Sequence, residues 1–366
     1  MKIPLANPSK ELNKIKKFNP RFVTELNSGN YIGGENVDTF EKNLQNFLGT
    51  KYVITVNSGT DAILFSLISS GIKKGDKVLV PSFTFFATVE TIMQLGAEPI
   101  FLDINLDTYT IDLEDFKNKL TKDIKAVIPV HLFGYDANIE EIKKISNQYE
   151  VRIIEDVAQA FGSKSKKNKY LGTVGNLGAF SFFPSKTLGG IGDGGAIATN
   201  NYSHYKKIMM LKNHGQVKKY EHEIVGYNSR LDTLNSFVLN EKLKIFEDIR
   251  KTRQDFVNFY VSNLNKFDWI KIPENTNKNI IFNYFTIQVA PKLRNRFINY
   301  LNVNNIGSAI YYKKPIHLQK AVLNNFKKTT LINTEKASRS VLSLPLYSFP
   351  EKKELEYIIS KIEKFK

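Results

Sequence analysis

Three short segments concentrate residue types that can act on a bound anion or a carbonyl. The first is Asn57-Ser58-Gly59-Thr60-Asp61-Ala62, directly after the β-branched run Tyr52–Val56 and directly before an apolar helical stretch. Gly59 permits a tight turn. Thr60 and Asp61 then fall at a helix N-terminus, where unbonded backbone N–H groups and the helix dipole attract phosphate. The same residues also read as plain N-capping by Ser58 or Thr60. The second segment is Glu155-Asp156-Val157-Ala158-Gln159-Ala160, two acids closing an apolar strand. It reads as a metal pair, as a single buried acid facing a cationic ring nitrogen, or as a cap with a surface salt bridge. No histidine or further acid lies at ligand spacing nearby. The third, residues 178–195, carries one lysine, Lys186, in apolar, Pro- and Gly-rich sequence between two strand-like runs. Most lysines of this chain sit on polar faces. A desolvated lysine loses proton affinity and can form a Schiff base with a carbonyl.

Two superficial matches are set aside. Lys186-Thr187 lacks the preceding glycines of a P-loop. Gly190, Gly192 and Gly195 spell G-x-G-x-x-G, but Ala196-Ile197-Ala198-Thr199 reads as a strand, whereas the dinucleotide fingerprint must open a helix. That argues against a nicotinamide-dependent dehydrogenase. The five histidines (His131, His204, His214, His222, His317) show no H-E-x-x-H spacing, and no G-x-S-x-G elbow occurs. Each histidine is read first as structural. Cysteine is absent, which excludes disulfides, cysteine-zinc sites and a cysteine nucleophile.

The elements that must position these segments alternate. Strands are expected at Tyr52–Val56, 77–80, Glu98–Leu102, 126–130 and 151–155, with helices at 62–69, 88–95 and 139–149. Such alternation predicts an α/β fold with a mostly parallel sheet covered by helices on both faces. Ligands of such sheets bind beyond the carboxyl ends of the strands, where all three segments lie. One long helical pattern runs over 233–264. From about Trp269 a smaller α+β unit follows, ending in a Lys/Glu-rich helix over 351–365. The expected division is a large domain, 1–245, and a small C-terminal domain, 246–366.

The chain has 366 residues, 42% hydrophobic and 24% charged, which excludes a disordered chain, a collagen or a coiled-coil rod. No apolar run reaches membrane length, and Met1-Lys2-Ile3-Pro4-Leu5-Ala6-Asn7-Pro8 lacks the apolar core of a signal peptide. A cytoplasmic protein without membrane contact is expected. The formal charge is +16. Its lysines are dispersed (Lys10, Lys14, Lys16, Lys17, Lys143, Lys144, Lys206, Lys207, Lys352, Lys353), and no basic helix interleaved with aromatics appears. Composition explains the charge better than a nucleic-acid surface does, and an anionic small substrate suits either case.

A phosphate cup, a strand-end acid and a secluded lysine, in that chain order, are what pyridoxal phosphate (PLP) needs. At this point the sequence resembles the DegT/StrS-type sugar aminotransferases, within the aspartate-aminotransferase (fold type I) superfamily. The resemblance runs from Gly29-Asn30-Tyr31-Ile32-Gly33-Gly34 to Leu342-Ser343-Leu344-Pro345-Leu346-Tyr347. It includes Ser58-Gly59-Thr60-Asp61-Ala62, Pro81-Ser82-Phe83-Thr84-Phe85-Phe86-Ala87-Thr88, Pro129-Val130-His131-Leu132-Phe133-Gly134 and Glu155-Asp156 with Ala158-Gln159-Ala160. It continues through Ser181-Phe182-Phe183-Pro184-Ser185-Lys186, Gly192-Asp193-Gly194-Gly195, Asn213-His214-Gly215 and Gly226-Tyr227-Asn228-Ser229-Arg230-Leu231-Asp232.

The resemblance implies a seven-stranded, mostly parallel sheet and a set of roles. Lys186 is the implied Schiff-base lysine and acid/base. Asp156 pairs with the pyridine nitrogen, Gln159 contacts the ring 3-oxygen, and Phe85 stacks on the ring. Gly59 with the backbone N–H groups of Thr60 and Asp61, and the Ser181 hydroxyl, holds the phosphate. Asn228 reaches the neighbouring subunit's cofactor, which implies a homodimer with shared sites. Arg230 and His317 lie near substrate. No metal is implied.

The implied reaction moves an amino group from L-glutamate to a nucleotide-diphosphate ketosugar for a surface glycan. Phe-Pro-Ser-Lys and Gly-Asp-Gly-Gly resemble members acting on 3-ketosugars, either a dTDP-3-keto-6-deoxyhexose or a UDP-2-acetamido-3-ketosugar. Members acting on 4-keto-6-deoxyhexoses more often show His-Pro-x-Lys and Gly-Glu-Gly-Gly. The lysine's presence argues against the dehydratase branch, where histidine replaces it. A PLP-bound regulator without turnover is the competing class. Asn235-Ser236 stands where the family usually has Gln-Ala, and Val157 where a small residue is usual. Both read as packing changes.

Overall fold

The computed structural model describes residues 1–273 and 278–365. Its centre is a sheet of seven strands: β1 (Tyr52–Val56), β2 (Lys77–Pro81), β3 (Glu98–Leu102), β4 (Ile124–Val127), β5 (Arg152–Asp156), β6 (Leu177–Ser181) and β7 (Gly195–Thr199). They lie in the order β1-β7-β6-β5-β4-β2-β3. β7 runs antiparallel to both of its neighbours, and the remaining pairings are parallel. Strand alternation sorts neighbouring apolar residues to opposite faces. Val53 joins Phe40 and Leu44 of helix Glu35–Leu48 on one side; Ile54 joins Phe65 and Leu67 of helix Gly59–Ser69 on the other. Covering both faces explains why these strands read as nearly continuous apolar runs.

Some boundaries differ from the sequence expectation. The run expected at 126–130 becomes β4 at Ile124–Val127, and Val130 keeps only an isolated bridge to Asp156. Pro129 has no N–H to continue a ladder. The long pattern over 233–264 is two helices, Thr233–Lys244 and Phe246–Leu264, separated at Ile245 (φ −105°, ψ 17°). No proline or glycine marks that break.

A two-stranded hairpin, β8 (Gln216–Lys218) with β9 (Glu221–His222), precedes the second helix-rich region. There, β10 (Ile270–Lys271), β11 (Phe285–Val289) and β12 (Val341–Leu344) form a three-stranded antiparallel sheet. Phe256, Tyr260, Phe285, Phe297, Leu342 and Ile358 share its core. Ile3 belongs to the same core and bridges Ile306, so the start of the chain packs on its last third. Helix Lys352–Glu363 starts on a capping box between Glu351 and Glu354. Among the described residues no helix is long and apolar enough to cross a membrane.

Candidate active site

Register brings the three chemical segments to one end of the sheet. Val56 lies opposite Gly195, Gly195 opposite Ser181, and Ala179, two residues before Ser181, opposite Asp156. The start of helix Gly59–Ser69 touches the end of β6: a Cβ on Gly59 would lie 2.7 Å from Ser181 Cβ. Only glycine allows that approach. Ser58 caps this helix by accepting the Asp61 N–H at 3.1 Å. The Asp61 amide, expected at a phosphate, is therefore already used. The amides of Gly59 and Thr60 have no acceptor among the described residues. A cavity of about 660 Å³ opens beside them, lined in part by Ser58, Thr60, Asp61, Asn228 and Arg230.

Asp156 is buried at the end of β5. Its Oδ2 accepts from Thr88 Oγ1 at 2.9 Å and its Oδ1 from the Ala158 N–H at 3.1 Å. Burial raises the proton affinity of this carboxyl; the two hydrogen bonds and the nearby Lys186 charge pull it back. Adjacent strand residues face opposite ways, so Glu155 lies on the other side of the sheet. There its oxygens accept the N–H groups of Gly172, Val174 and Gly175 at 2.8, 2.8 and 2.5 Å. His131 Nε2 is 3.0 Å from the same carboxylate, and His131 Nδ1 accepts the Ala137 N–H at 3.1 Å. That bond puts the ring proton on Nε2, which donates to Glu155. Glu155 is thus held by three amides and a histidine, whereas Asp156 accepts one hydrogen bond on each oxygen.

Gln159 Oε1 accepts the Phe133 N–H at 3.0 Å, and its Nε2 donates to Tyr312 Oη at 2.9 Å. Tyr312 comes from the C-terminal third of the chain and stands 6.3 Å, centroid to centroid, from Phe85. Phe85 is 59% exposed, which leaves a ring face free for stacking. Ser181 and Lys186 are half-buried. The Lys186 ammonium has no hydrogen-bond or ion-pair partner among the described residues. Ser185 meets Tyr284 at 3.2 Å, and Thr187 donates to Asn283 at 3.3 Å. Tyr312, Tyr284 and Asn283 escape a reading of the sequence because they approach from 153, 99 and 96 residues away in a region without motif spelling; only the aromatic pair Tyr311-Tyr312 hints at them.

Two further residues are placed by contacts that the sequence does not show. His317 does not line the cavity: it is 1% exposed, its Nδ1 lies 2.6 Å from Ser82 Oγ, and its backbone N–H donates to the same hydroxyl at 3.0 Å. Burial lowers its proton affinity, partly offset by Glu335. It clamps the segment after β2 to the C-terminal third. Asn235 is more than a packing change. Its Oδ1 accepts the Ile191 N–H at 2.9 Å and its Nδ2 donates to the Asp193 carbonyl at 2.8 Å, which ties down the loop after Lys186. Val157 is a core residue, as its apolar character suggests.

The residues present fit pyridoxal phosphate. Gly59 lets the helix start close on Ser181, two helix-start amides are free for a phosphate, a buried carboxylate suits a ring cation, and an unpartnered lysine lies close to it. Comparison with known proteins agrees. The DegT/DnrJ/EryC1/StrS aminotransferase family model matches residues 13–363. A UDP-2-acetamido-2-deoxy-3-oxo-D-glucuronate aminotransferase of Pseudomonas aeruginosa is 37% identical over 325 residues, covering 88% of this chain and 89% of the relative. A pleiotropic regulatory protein of Geobacillus stearothermophilus is 34% identical over 370 residues, covering 100% of this chain and 99% of the relative. The crystal structure of NtdA from Bacillus subtilis with bound cofactor PMP superposes with a TM-score of 0.89 at 30% identity, over 99% of this chain and 84% of that one. The chain belongs to the DegT/DnrJ/EryC1/StrS aminotransferase family, and its cofactor is pyridoxal phosphate.

Proposed function

We propose that this aminotransferase moves an amino group from L-glutamate to the keto carbon of a nucleotide-diphosphate 3-ketosugar, in making an aminosugar for a surface glycan. The observation that carries the reading is an unpartnered, half-buried Lys186 beside a buried Asp156, next to a helix start with free amides. When bound, pyridoxal phosphate supplies an electron sink for the carbon next to nitrogen. Asp156 would hold the pyridine nitrogen protonated, and Gln159 would offer its second amide N–H to the ring 3-oxygen. The amides of Gly59 and Thr60, with the Ser181 hydroxyl, would hold the phosphate, and Phe85 would cover a ring face. Lys186 Nζ would take the proton from the donor's carbon and return one to the sugar's. Both substrates use one site in turn, so ping-pong kinetics follow. Arg230 on the cavity wall suits the sugar's diphosphate.

The 3-position rests on the Phe-Pro-Ser-Lys and Gly-Asp-Gly-Gly wording and on the relative that acts on a 3-oxo sugar. Incubation with glutamate and a panel of 3-keto and 4-keto nucleotide sugars, with the new amine located by NMR, tests it; amination only at carbon 4 overturns it. Substituting Gly59→Ala, where the new Cβ would collide with Ser181 at 2.7 Å, is expected to weaken cofactor binding about tenfold in an absorbance titration.

A homodimer is part of the proposal. Ile32, Phe85, Phe183, Ile191 and Tyr227 are exposed apolar side chains, and Ile32 lines the cavity itself. A second copy would bury them, and Asn228 would then reach across to its cofactor. Sedimentation should give twice the chain mass. The cytoplasm is the proposed location, in keeping with a water-soluble anionic substrate. The regulatory relative favours a second reading, a PLP-bound regulator without turnover. Salt-sensitive nucleic-acid binding that Lys186→Ala leaves intact, with no transfer to any sugar, would favour it.

A further inference from the structure

The loop that carries Lys186 is gripped from behind by charges outside the cavity. Lys242 is 1% exposed, and its Nζ donates to the Gly189 carbonyl at 2.7 Å and meets the Glu11 carboxylate at 2.8 Å. Gly189 is three residues beyond Lys186 and so tightly enclosed that a Cβ would lie 2.4 Å from the Pro184 carbonyl oxygen. Glu11 comes from the short N-terminal helix Ser9–Leu12 and is itself buried; its other oxygen accepts from Ser348 Oγ at 2.9 Å. Arg253 is a second buried cation, donating to the Phe282 and Asn283 carbonyls at 3.0 and 2.9 Å. Burial pulls this guanidinium down to about 10, and the Glu11 charge opposes the fall. Asn283 and its neighbour Tyr284 are the residues that touch Thr187 and Ser185.

Buried charges are costly even when paired, and well-packed apolar side chains would hold the fold at least as well. The contacts made here converge on one loop. We propose that Glu11, Lys242 and Arg253 are a positioning hub for Lys186. One carboxylate balances two buried cations: Lys242 grips the loop backbone at Gly189, and Arg253 braces the segment that touches Ser185 and Thr187. The inference rests on the reading of Lys186 as the reacting amine. A reacting nitrogen displaced by about 1 Å loses up to about a hundredfold in rate, so a loop anchored at both flanks has a functional reason to be held so firmly.

The test uses the holoenzyme with the paired substitutions Glu11→Gln and Lys242→Met, which remove the buried pair together and leave Arg253 without its balancing carboxylate. The expected result is a kcat for the glutamate half-reaction lower by about tenfold with KM within about twofold. The pH midpoint of the bound cofactor's visible absorption band shifts as well, in a protein that still melts cooperatively. Lys242→Arg, which keeps charge and donor, is expected to restore the midpoint. A folded pair with wild-type kcat and midpoint overturns the hub. If the pair does not fold, Lys242→Met alone decides: it frees the Gly189 carbonyl and leaves Glu11 balanced by Arg253, and an unmoved midpoint overturns the hub. Lys186→Ala separates the two failures. Loss of band and transfer there, with hub variants like wild type, removes only the hub. A retained band and retained transfer in Lys186→Ala removes the reading of the lysine.

Discussion

Lys186→Ala is expected to lower glutamate-dependent amino transfer by about 10^4-fold or more, because in the proposed reaction one side chain both anchors the carbonyl and moves the proton. The effect should be confined to chemistry. The Lys186 ammonium has no partner among the described residues and the side chain is half-buried, so its loss removes little that holds the fold. Its stability effect should stay within about 0.5 kcal/mol, as for an ordinary surface change. Borohydride reduction followed by peptide mapping gives an independent reading. In the wild type the label should fall on the peptide containing Lys186, and in the variant it should vanish. A label on another lysine, or transfer at an undiminished rate, would defeat the assignment.

Asp156→Asn should separate activity from stability. In the proposed reaction the carboxylate faces the ring cation, and its loss is expected to cost about 10^2- to 10^3-fold in turnover. Stability of the cofactor-free protein should move the other way. Burial raises the folded-state pKa of Asp156 above its unfolded value, so the native state binds its proton more tightly than the unfolded chain does. For an acid shifted in that direction, stability is present below the unfolded pKa and lost as pH rises through the folded one. At about pH 7 the ionised carboxylate is thus a cost that asparagine removes. The substitution keeps the local bonds, since the Thr88 hydroxyl can accept from the new amide and turn its proton to Thr84, 3.0 Å away. The cofactor-free variant should melt at or above the wild type near neutral pH, with the difference shrinking as pH falls into the carboxylate range. A clearly lower melting temperature at neutral pH would show that the carboxylate supports the fold instead.

Strand alternation resolves the double acid that the sequence leaves open. Glu155 and Asp156 look equivalent in a string of letters, but a period of two sends them to opposite faces. One meets three amides and a histidine; the other meets a threonine, one amide and the charge of Lys186. The phosphate segment was legible because Gly59, a strand before it and a helix after it are all local signals, although its capping pattern was not: Ser58 takes the Asp61 amide. The helix break at Ile245 was not legible, since no residue there lacks an N–H or a Cβ. Asn235 looked like a packing change because side-chain partners 42 and 44 residues away leave no mark on its own neighbourhood. The burial of His317 against Ser82 leaves no mark in its own neighbourhood either.

The amino-acid string by itself determined the alternation of strands and helices and the placing of chemical residues just after strands. These depend on periodicity and turn chemistry, which act over a few residues. The tertiary structure alone decided which acid is held by three amides and a histidine and which N–H groups stay free. It also decided that Tyr312 and Tyr284 close on the site from the far end of the chain, and that a glutamate near the N-terminus sits under the reactive loop. Such outcomes depend on burial and on contacts between residues far apart in sequence, where desolvation and charge balance are set by whichever groups packing brings together.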